Sequence, residues 1–418
     1  VTVSPAAHHA HPWWVALVSG MASYIDAAAI ISFGIALVIY QHTIGLDAVQ
    51  VGVASGALTF GIAIGALVGG GLGDRYGRRP VFSVTMALIA AGALALTLST
   101  SFPLILAGAI CVGLGTGADL PVSLSTISEA ATDANRGRLI GFSQILWFVG
   151  ILVAIGLGIF FGNSGRLGGQ IMFGHLAVVS ALILVARLTI PESEVWLAAR
   201  AARRSGLAGP AQHGALAAML KPPYAGPFLA LAVFFSLVNL SANTVGQFGT
   251  YLLVNVAGVD VQQASTIALA LLPLPILGTL WFMAIADGRH RFTYFTVGAV
   301  LLVLGNLVPV FFGLTVETFV ASKVISLLGA SFAGEAIMKL WVQESFPVLL
   351  RTTAQGGVIA IGRLLAALLA GVTPLLIAAG VSILYTVLAV LCAAGVVTAW
   401  MAFRNAARSE PTLPVPTS

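Results

Sequence analysis

Long apolar runs, each sized to cross a bilayer, recur along the chain and are separated by short polar or Gly/Pro-rich breaks. A helix needs about 20 apolar residues to span the hydrocarbon core. In the first half such runs fall at roughly 14–39, 48–73, 80–100, 103–128, 138–162 and 168–190. In the second half they fall at roughly 226–253, 264–286, 292–312, 317–343, 353–379 and 382–403. The pattern predicts an all-α membrane protein of twelve transmembrane helices in two six-helix bundles. Five segments follow: a tail at 1–13, a bundle at 14–190, a linker at 191–225, a bundle at 226–403 and a tail at 404–418. The linker carries Arg200, Arg203, Arg204, Pro210, Lys221, Pro222 and Pro223, a composition too polar and too broken for a span.

Composition agrees with the pattern. Of 418 residues, 59% are hydrophobic and 8% charged, against about 25% charged in a soluble domain. So few charges cannot clothe a water-exposed surface. A soluble globular enzyme, a nucleic-acid binder and a disordered chain are thereby excluded, and lipid must be the main solvent. Cys111 and Cys392 lie within apolar runs and outside any metal-ligand or redox spacing. His8, His9 and His11 read as a solvated tail, so no metal and no cofactor is expected. The stretch before Pro12 lacks the basic region of a cleaved signal, and the first run is expected to remain as a span.

Basic residues orient the spans. Arg75, Arg78, Arg79, Arg136, Arg138, the linker, Arg289, Arg291, Arg351, Arg404 and Arg408 share one side, and Arg166 stands on the other. The positive-inside rule places both termini in the cytoplasm and the protein in the plasma (inner) membrane. The same charges repeat. Glu129 with Arg136 recurs as Glu344 with Arg351, both shifted by 215 positions, and Asp74 recurs as Asp287, shifted by 213. Half the chain is about that long, so the two bundles read as a tandem parallel repeat, one of the known plans for transporters.

The glycine- and arginine-rich segment Gly70-Gly-Leu-Gly-Asp74-Arg75-Tyr-Gly77-Arg78-Arg79 closely resembles the signature loop of the major facilitator superfamily. Glu129 to Gly137, Pro191-Glu192-Ser193 with Trp196-Leu197, and Glu344-Ser-Phe-Pro347 with Arg351 resemble its sugar-porter branch and metabolite:proton symporter neighbours. Gly115-Thr-Gly-Ala-Asp119-Leu-Pro121 is similar to the organic-acid and nicotinate-type relatives. The resemblance implies the superfamily fold and a conformational latch made of Gly70, Asp74, Arg75, Gly77, Arg78, Arg79, Glu129, Arg136, Glu344 and Arg351. The physics of such a latch is simple. A carboxylate at a helix end pairs with guanidinium groups in one conformation and releases them in another.

Ionisable residues inside spans are costly and mark functional sites. Asp119 lies ten residues before Glu129, Glu335 nine before Glu344, and Arg363 twelve after Arg351. At 1.5 Å per residue these are depths of roughly 14–18 Å, near the middle of a core about 30 Å thick. Asp26 falls at similar depth in the first span, and in Ser23-Tyr-Ile-Asp26 it resembles the sugar-porter aspartate implicated in proton coupling. Asp26, Glu335 and Asp119 are the candidate proton carriers. Arg363 is expected to neutralise Asp119 or Glu335, or to bind substrate, and Lys339, one turn beyond Glu335, offers that residue an alternative partner. Asn239, Asn243, Gln247 and Tyr251 supply a polar face for a solute, while Ser241 and Ala242 stand where sugar porters carry paired glutamines. The reading is proton-coupled uptake of a small polar metabolite, an organic acid or a polyol or sugar-like solute, by a monomer in the bilayer working through alternating access. The alternative is proton-driven efflux. A non-transporting solute sensor ranks below both, because the tail after 404 is short for a signalling domain.

Overall fold

The computed structural model describes residues 11–132, 135–204, 219–285, 290–346 and 348–404. In chain order the helices of the first half are α1 Pro12–Ile44, α2 Ala48–Tyr76, α3 Arg78–Leu98, α4 Phe102–Ala130, α5 Arg136–Phe161 and α6 Arg166–Arg187. A short helix, α7 Glu194–Arg204, follows in the linker. The second half holds α8 Ala225–Asn255, α9 Val261–Leu271, α10 Pro273–Ile285, α11 Arg291–Phe312, α12 Val316–Ala333, α13 Glu335–Ser345, α14 Val348–Ala379 and α15 Val381–Phe403. Counting α9 with α10 and α12 with α13 as single passes, the described residues contain 12 helices long and apolar enough to cross a membrane.

Local chemistry sets the ends. Pro12 and Pro103 open α1 and α4, where a missing N–H costs no helical hydrogen bond. Asp47 and Gln50 cap α2 reciprocally, Asp47 accepting from the Gln50 N–H at 2.7 Å. His11, expected in a solvated tail, instead accepts from the Trp13 N–H and starts α1. Two passes depart from the uninterrupted runs read in the sequence. The eighth breaks between Leu271 and Pro273, and the tenth at Gly334, so that Glu335 opens a new helix. Helix α7 was also not anticipated. Ser193 accepts from the Trp196 N–H at its start, and Arg200 lies over the Trp196 ring at 5.0 Å.

By their contacts the helices form two compact units. The first comprises residues 1–211, 244–270 and 363–379, and the second residues 212–243, 271–362 and 380–418. In the first, α2 packs along α4, α1 on α5 and α6, and α3 on α4 and α6. Gly61, Gly65 and Gly69, spaced by four on α2, meet Gly113, Gly117 and Ala118 on α4 in turn, and a Cβ on Gly117 would run into the Ile62 carbonyl oxygen. Lipid gives apolar helices no hydrophobic reason to associate, so close backbone approach through small residues carries this interface. The glycines at 113 and 117 face α2, and Gly115 faces Ile89 and Thr85 of α3. In the second unit α11 packs on α12 and α15 around a core that includes Phe234, Phe295 and Trp341. Phe160, Phe311 and Phe312 are left exposed at 74–80%, as suits helices whose solvent is lipid.

Gly117→Ala is expected to lower the melting temperature of the purified protein strongly, because overpacking costs about 1–3 kcal/mol and the obstacle here is backbone. Gly71→Ala, on the same α2 but with nothing within 4 Å of its Cβ position, should melt with the wild type. Equal melting of the two variants would contradict the packing account.

Candidate functional site

Three groups of charges are set into this scaffold. The first lies at the Arg-rich end of the first unit. Arg78 Nη2 donates to Glu129 Oε1 at 2.7 Å and Nε to Oε2 at 3.4 Å, a two-pronged pair between the start of α3 and the end of α4. Glu192 of the linker caps α3. Its Oε1 accepts from the Arg78 N–H at 2.8 Å and its Oε2 from the Arg79 N–H at 3.2 Å, a carboxylate placed where the helix dipole favours it. Arg79 also donates to the Leu188 carbonyl at 3.0 Å. The turn depends on Gly77, whose φ is +106° and whose Cβ would meet Glu192 Oε2 at 2.5 Å. Arg75 lies over the Tyr76 ring, and Gly70 has open space beside it. The side chains of Asp74 and Arg136, and the residues Asp287 and Arg289, lie outside the described residues.

The second unit repeats this pattern. Arg291, at the start of α11, pairs with Glu344 near the end of α13, Nη2 to Oε2 at 2.8 Å. Arg351 Nε donates to the Phe346 carbonyl at 2.9 Å. The offset of about 215 in the sequence therefore appears as the same kind of ion pair in each unit, a helix start tied to the end of a neighbouring pass.

The second group is wholly buried. Arg187, the last residue of α6, donates from Nη1 to Asp119 Oδ1 and from Nη2 to Asp119 Oδ2 at 2.8 Å and Ser123 Oγ at 2.9 Å. Thr85 and Ser123 donate to the same carboxylate at 2.8 and 3.1 Å. The guanidinium also lies over the Phe82 ring at 4.2 Å. Neither side chain of the pair is more than 1% exposed.

The third group is open by comparison. Asp26 of α1 faces Arg363 of α14, and Oδ1 to Nη1 is 3.8 Å, within ion-pair range and beyond hydrogen-bond range. The Asp26 side chain is 5% exposed and the Arg363 side chain 29%. Asp26 Oδ1 is buried without a hydrogen-bond partner. Two residues before it, the Tyr24 hydroxyl meets His175 Nε2 of α6 at 2.6 Å. In the same unit Gln247 donates to the Ser55 carbonyl at 3.3 Å and accepts from Thr59 at 3.4 Å. Its backbone closes on Gly34 of α1. Tyr251 is buried with its ring against Phe248.

These positions revise the expected pairing. Of the partners expected for Arg363, Asp119 is taken by Arg187, and Glu335 pairs with Lys339 at 2.7 Å, as their one-turn spacing allows. Depth arithmetic gives height in the membrane and says nothing of which way a side chain points. Glu335 also differs in surroundings: the break at Gly334 makes it the first residue of α13, half-exposed beside Lys339. Asn239 and Asn243 contact each other in the second unit, where Ser241 donates to Asn306 at 2.7 Å. The sequence reading missed Arg187 and Asn306. Arg187 sits where a span meets the basic linker, and there an arginine reads as a topology marker.

Gly77→Ala should melt lower than the wild type by an amount worth about 1–3 kcal/mol, because an L-residue is strained at positive φ whatever the space. With φ +106° and ψ 163° the position lies in a region essentially confined to glycine, so Gly77→Ala and Gly77→Asn should both melt lower. Differential scanning fluorimetry decides, and identical melting of the wild type and both variants would contradict it.

Twelve helices of membrane-spanning length and composition among the described residues, with a fully buried ion pair in the first unit, mark an integral membrane protein. The chain belongs to the Major Facilitator Superfamily, whose family model matches residues 13–356. It is a membrane transporter and not an enzyme. It is 31% identical over 348 residues to the minor myo-inositol transporter of Bacillus subtilis (strain 168), covering 81% of this chain and 78% of that one. It is 30% identical over 358 residues to the 3-(3-hydroxy-phenyl)propionate transporter of Escherichia coli (strain K12), covering 84% and 81%. In fold it is similar to the xylose transporter XylE from E. coli, with a TM-score of 0.73 and 16% identity over 94% of this chain and 99% of that one.

Proposed function

We propose that this protein takes up a small polar metabolite, an organic acid or a polyol or sugar-like solute, together with protons, by alternating access. The observation that carries the reading is the Asp26–Arg363 pair, a buried carboxylate with an unsatisfied oxygen beside a partly exposed guanidinium. A pair this loosely held changes partners at low cost. Protonating Asp26 releases Arg363, and a solute that engages Arg363 makes protonation of Asp26 easier, so the two events favour each other. Asp119, with its carboxylate filled by Arg187, Thr85 and Ser123, suits a structural role, and Glu335 suits a surface pair. Asp26 is therefore the leading proton carrier.

The names of the relatives divide between a neutral cyclitol and an aromatic carboxylate, which is why the solute class stays broad here. Gln247, Tyr251, Asn239 and Asn243 are the polar groups proposed to meet the solute. The Arg78–Glu129 and Arg291–Glu344 pairs, with Glu192, are proposed as the latch that holds one conformation. The distribution of arginines supports the reading of both termini as cytoplasmic and of the chain as a plasma-membrane protein. The test is uptake into proteoliposomes under an imposed pH gradient. Accumulation that collapses with a proton ionophore supports symport, and loss of solute against the same gradient would favour efflux instead.

A further inference from the structure

The two Asp–Arg pairs in the first unit, one fully buried and one partly open, have the same charges and opposite construction. The Asp119 carboxylate is filled: two guanidinium nitrogens of Arg187 and two hydroxyls donate to it, and an aromatic ring lies over the cation, of which Nε alone lacks a partner among the described residues. Arg363, in contrast, makes no hydrogen bond among the described residues, and its single ion pair there is the 3.8 Å contact with Asp26. A guanidinium offers five N–H donors in a planar fork that matches a carboxylate. The Arg363 side chain is 29% exposed, so its fork is open to a partner that comes from outside the protein.

We propose that the solute is an anion bearing a carboxylate, and that it docks on the fork of Arg363 by displacing Asp26, which takes up the proton. The proposal rests on the transport reading above and sharpens it to a substrate class. Charge decides between classes. With Asp26 ionised and Arg363 charged, the site is neutral, and an added anion would leave one uncompensated negative charge in a medium of low dielectric. With Asp26 protonated, Arg363 and the anion neutralise each other, so anion binding requires one proton. A neutral polyol imposes no such requirement, since it can hydrogen-bond beside an intact pair. A cation would add a positive charge next to Arg363.

The surroundings leave Asp26 as the group that must respond. Of the helices packed on α1, α4 brings Asp119, already committed to Arg187, and α6 brings His175, bonded to Tyr24. Helix α5 has no ionisable residue beyond Arg138, and α2 none before Asp74. Helix α8 brings Tyr251, and α14 brings Arg363 itself.

The experiment is thermal stabilisation of the full chain in detergent at pH 6 and pH 8. The probes are a series of monocarboxylates from acetate to 3-phenylpropionate, with myo-inositol as the neutral probe. At least one monocarboxylate should stabilise the protein, with apparent affinity higher at pH 6 than at pH 8 by up to about tenfold per pH unit, the limit for uptake of one proton. Arg363→Gln should abolish that stabilisation. Asp26→Asn, which mimics the protonated acid, should keep it and remove the pH dependence. Should Arg363→Gln not fold alone, the double variant Asp26→Asn with Arg363→Gln removes both charges together and should fold yet bind no carboxylate. Stabilisation by myo-inositol and by no member of the series would overturn the anion proposal, as would stabilisation by neither probe. Proton-driven accumulation of myo-inositol would overturn it too, while leaving the transport reading intact. Carboxylate binding that depends on Arg363 but moves no proton would uphold the anion site and defeat the coupling.

Discussion

Arg187→Met is expected to destabilise the protein by about 3–5 kcal/mol, the usual penalty for stranding one partner of a buried ion pair. The stranded group is Asp119, 1% exposed, which would keep only the Thr85 and Ser123 hydroxyls. Methionine preserves most of the volume and still packs against Phe82, so the loss is electrostatic and not a cavity. Replacing both members, as Asp119→Leu with Arg187→Met, should recover most of the stability, because buried pairs are often no better than apolar residues of the same shape. The half-exposed pair Glu335–Lys339 is the control: Lys339→Ala should cost about 0.2–1 kcal/mol. Thermal melting in one detergent compares all of these variants. If Arg187→Met melts with the wild type, the pair is not the strut the geometry describes. If the double variant is worse than either single change, the two side chains hold something besides each other.

The second large effect concerns Asp26→Asn. Asparagine keeps the shape and the contact with Arg363 but cannot give up a proton. A pH gradient of one unit is worth about 1.4 kcal/mol, or tenfold accumulation for one proton per solute. In the variant that ratio should fall to about one, the value without coupling. Exchange of labelled for unlabelled solute needs no net proton movement and should continue. Measured side by side in proteoliposomes, lost accumulation with retained exchange supports the carrier role. Retained accumulation contradicts it and returns the proton to Glu335 or Asp119.

The spans were legible because lipid imposes a simple code: runs of about 20 apolar residues, with charges confined to their ends. The repeat was legible from Glu129, Arg136, Glu344 and Arg351, although the structure uses Glu129 and Glu344 to hold arginines on other helices, Arg78 and Arg291. The breaks at 272 and 334 were not seen, because apolar residues continue through them and hydropathy does not register a helix interruption. Asp26 and Arg363 were found separately as charges at mid-depth. That Arg363 faces Asp26 was one alternative among three carboxylates, and the sequence could not select it because the choice depends on helix rotation and on contact between distant passes. Arg187 was hidden for a related reason. Its backbone belongs to the end of α6, while its guanidinium reaches the carboxylate of Asp119 on α4. Long side chains place their charge well away from their own Cα, and the sequence records only the latter.

The central claim is that solute binding puts a proton on Asp26. Infrared difference spectroscopy of the reconstituted protein, with and without bound solute, reads this directly. Binding should produce the C=O band of a protonated carboxyl group in the wild type, and that band should be missing in Asp26→Asn. A solute that binds without the band, or a band that persists in Asp26→Asn, would contradict the account.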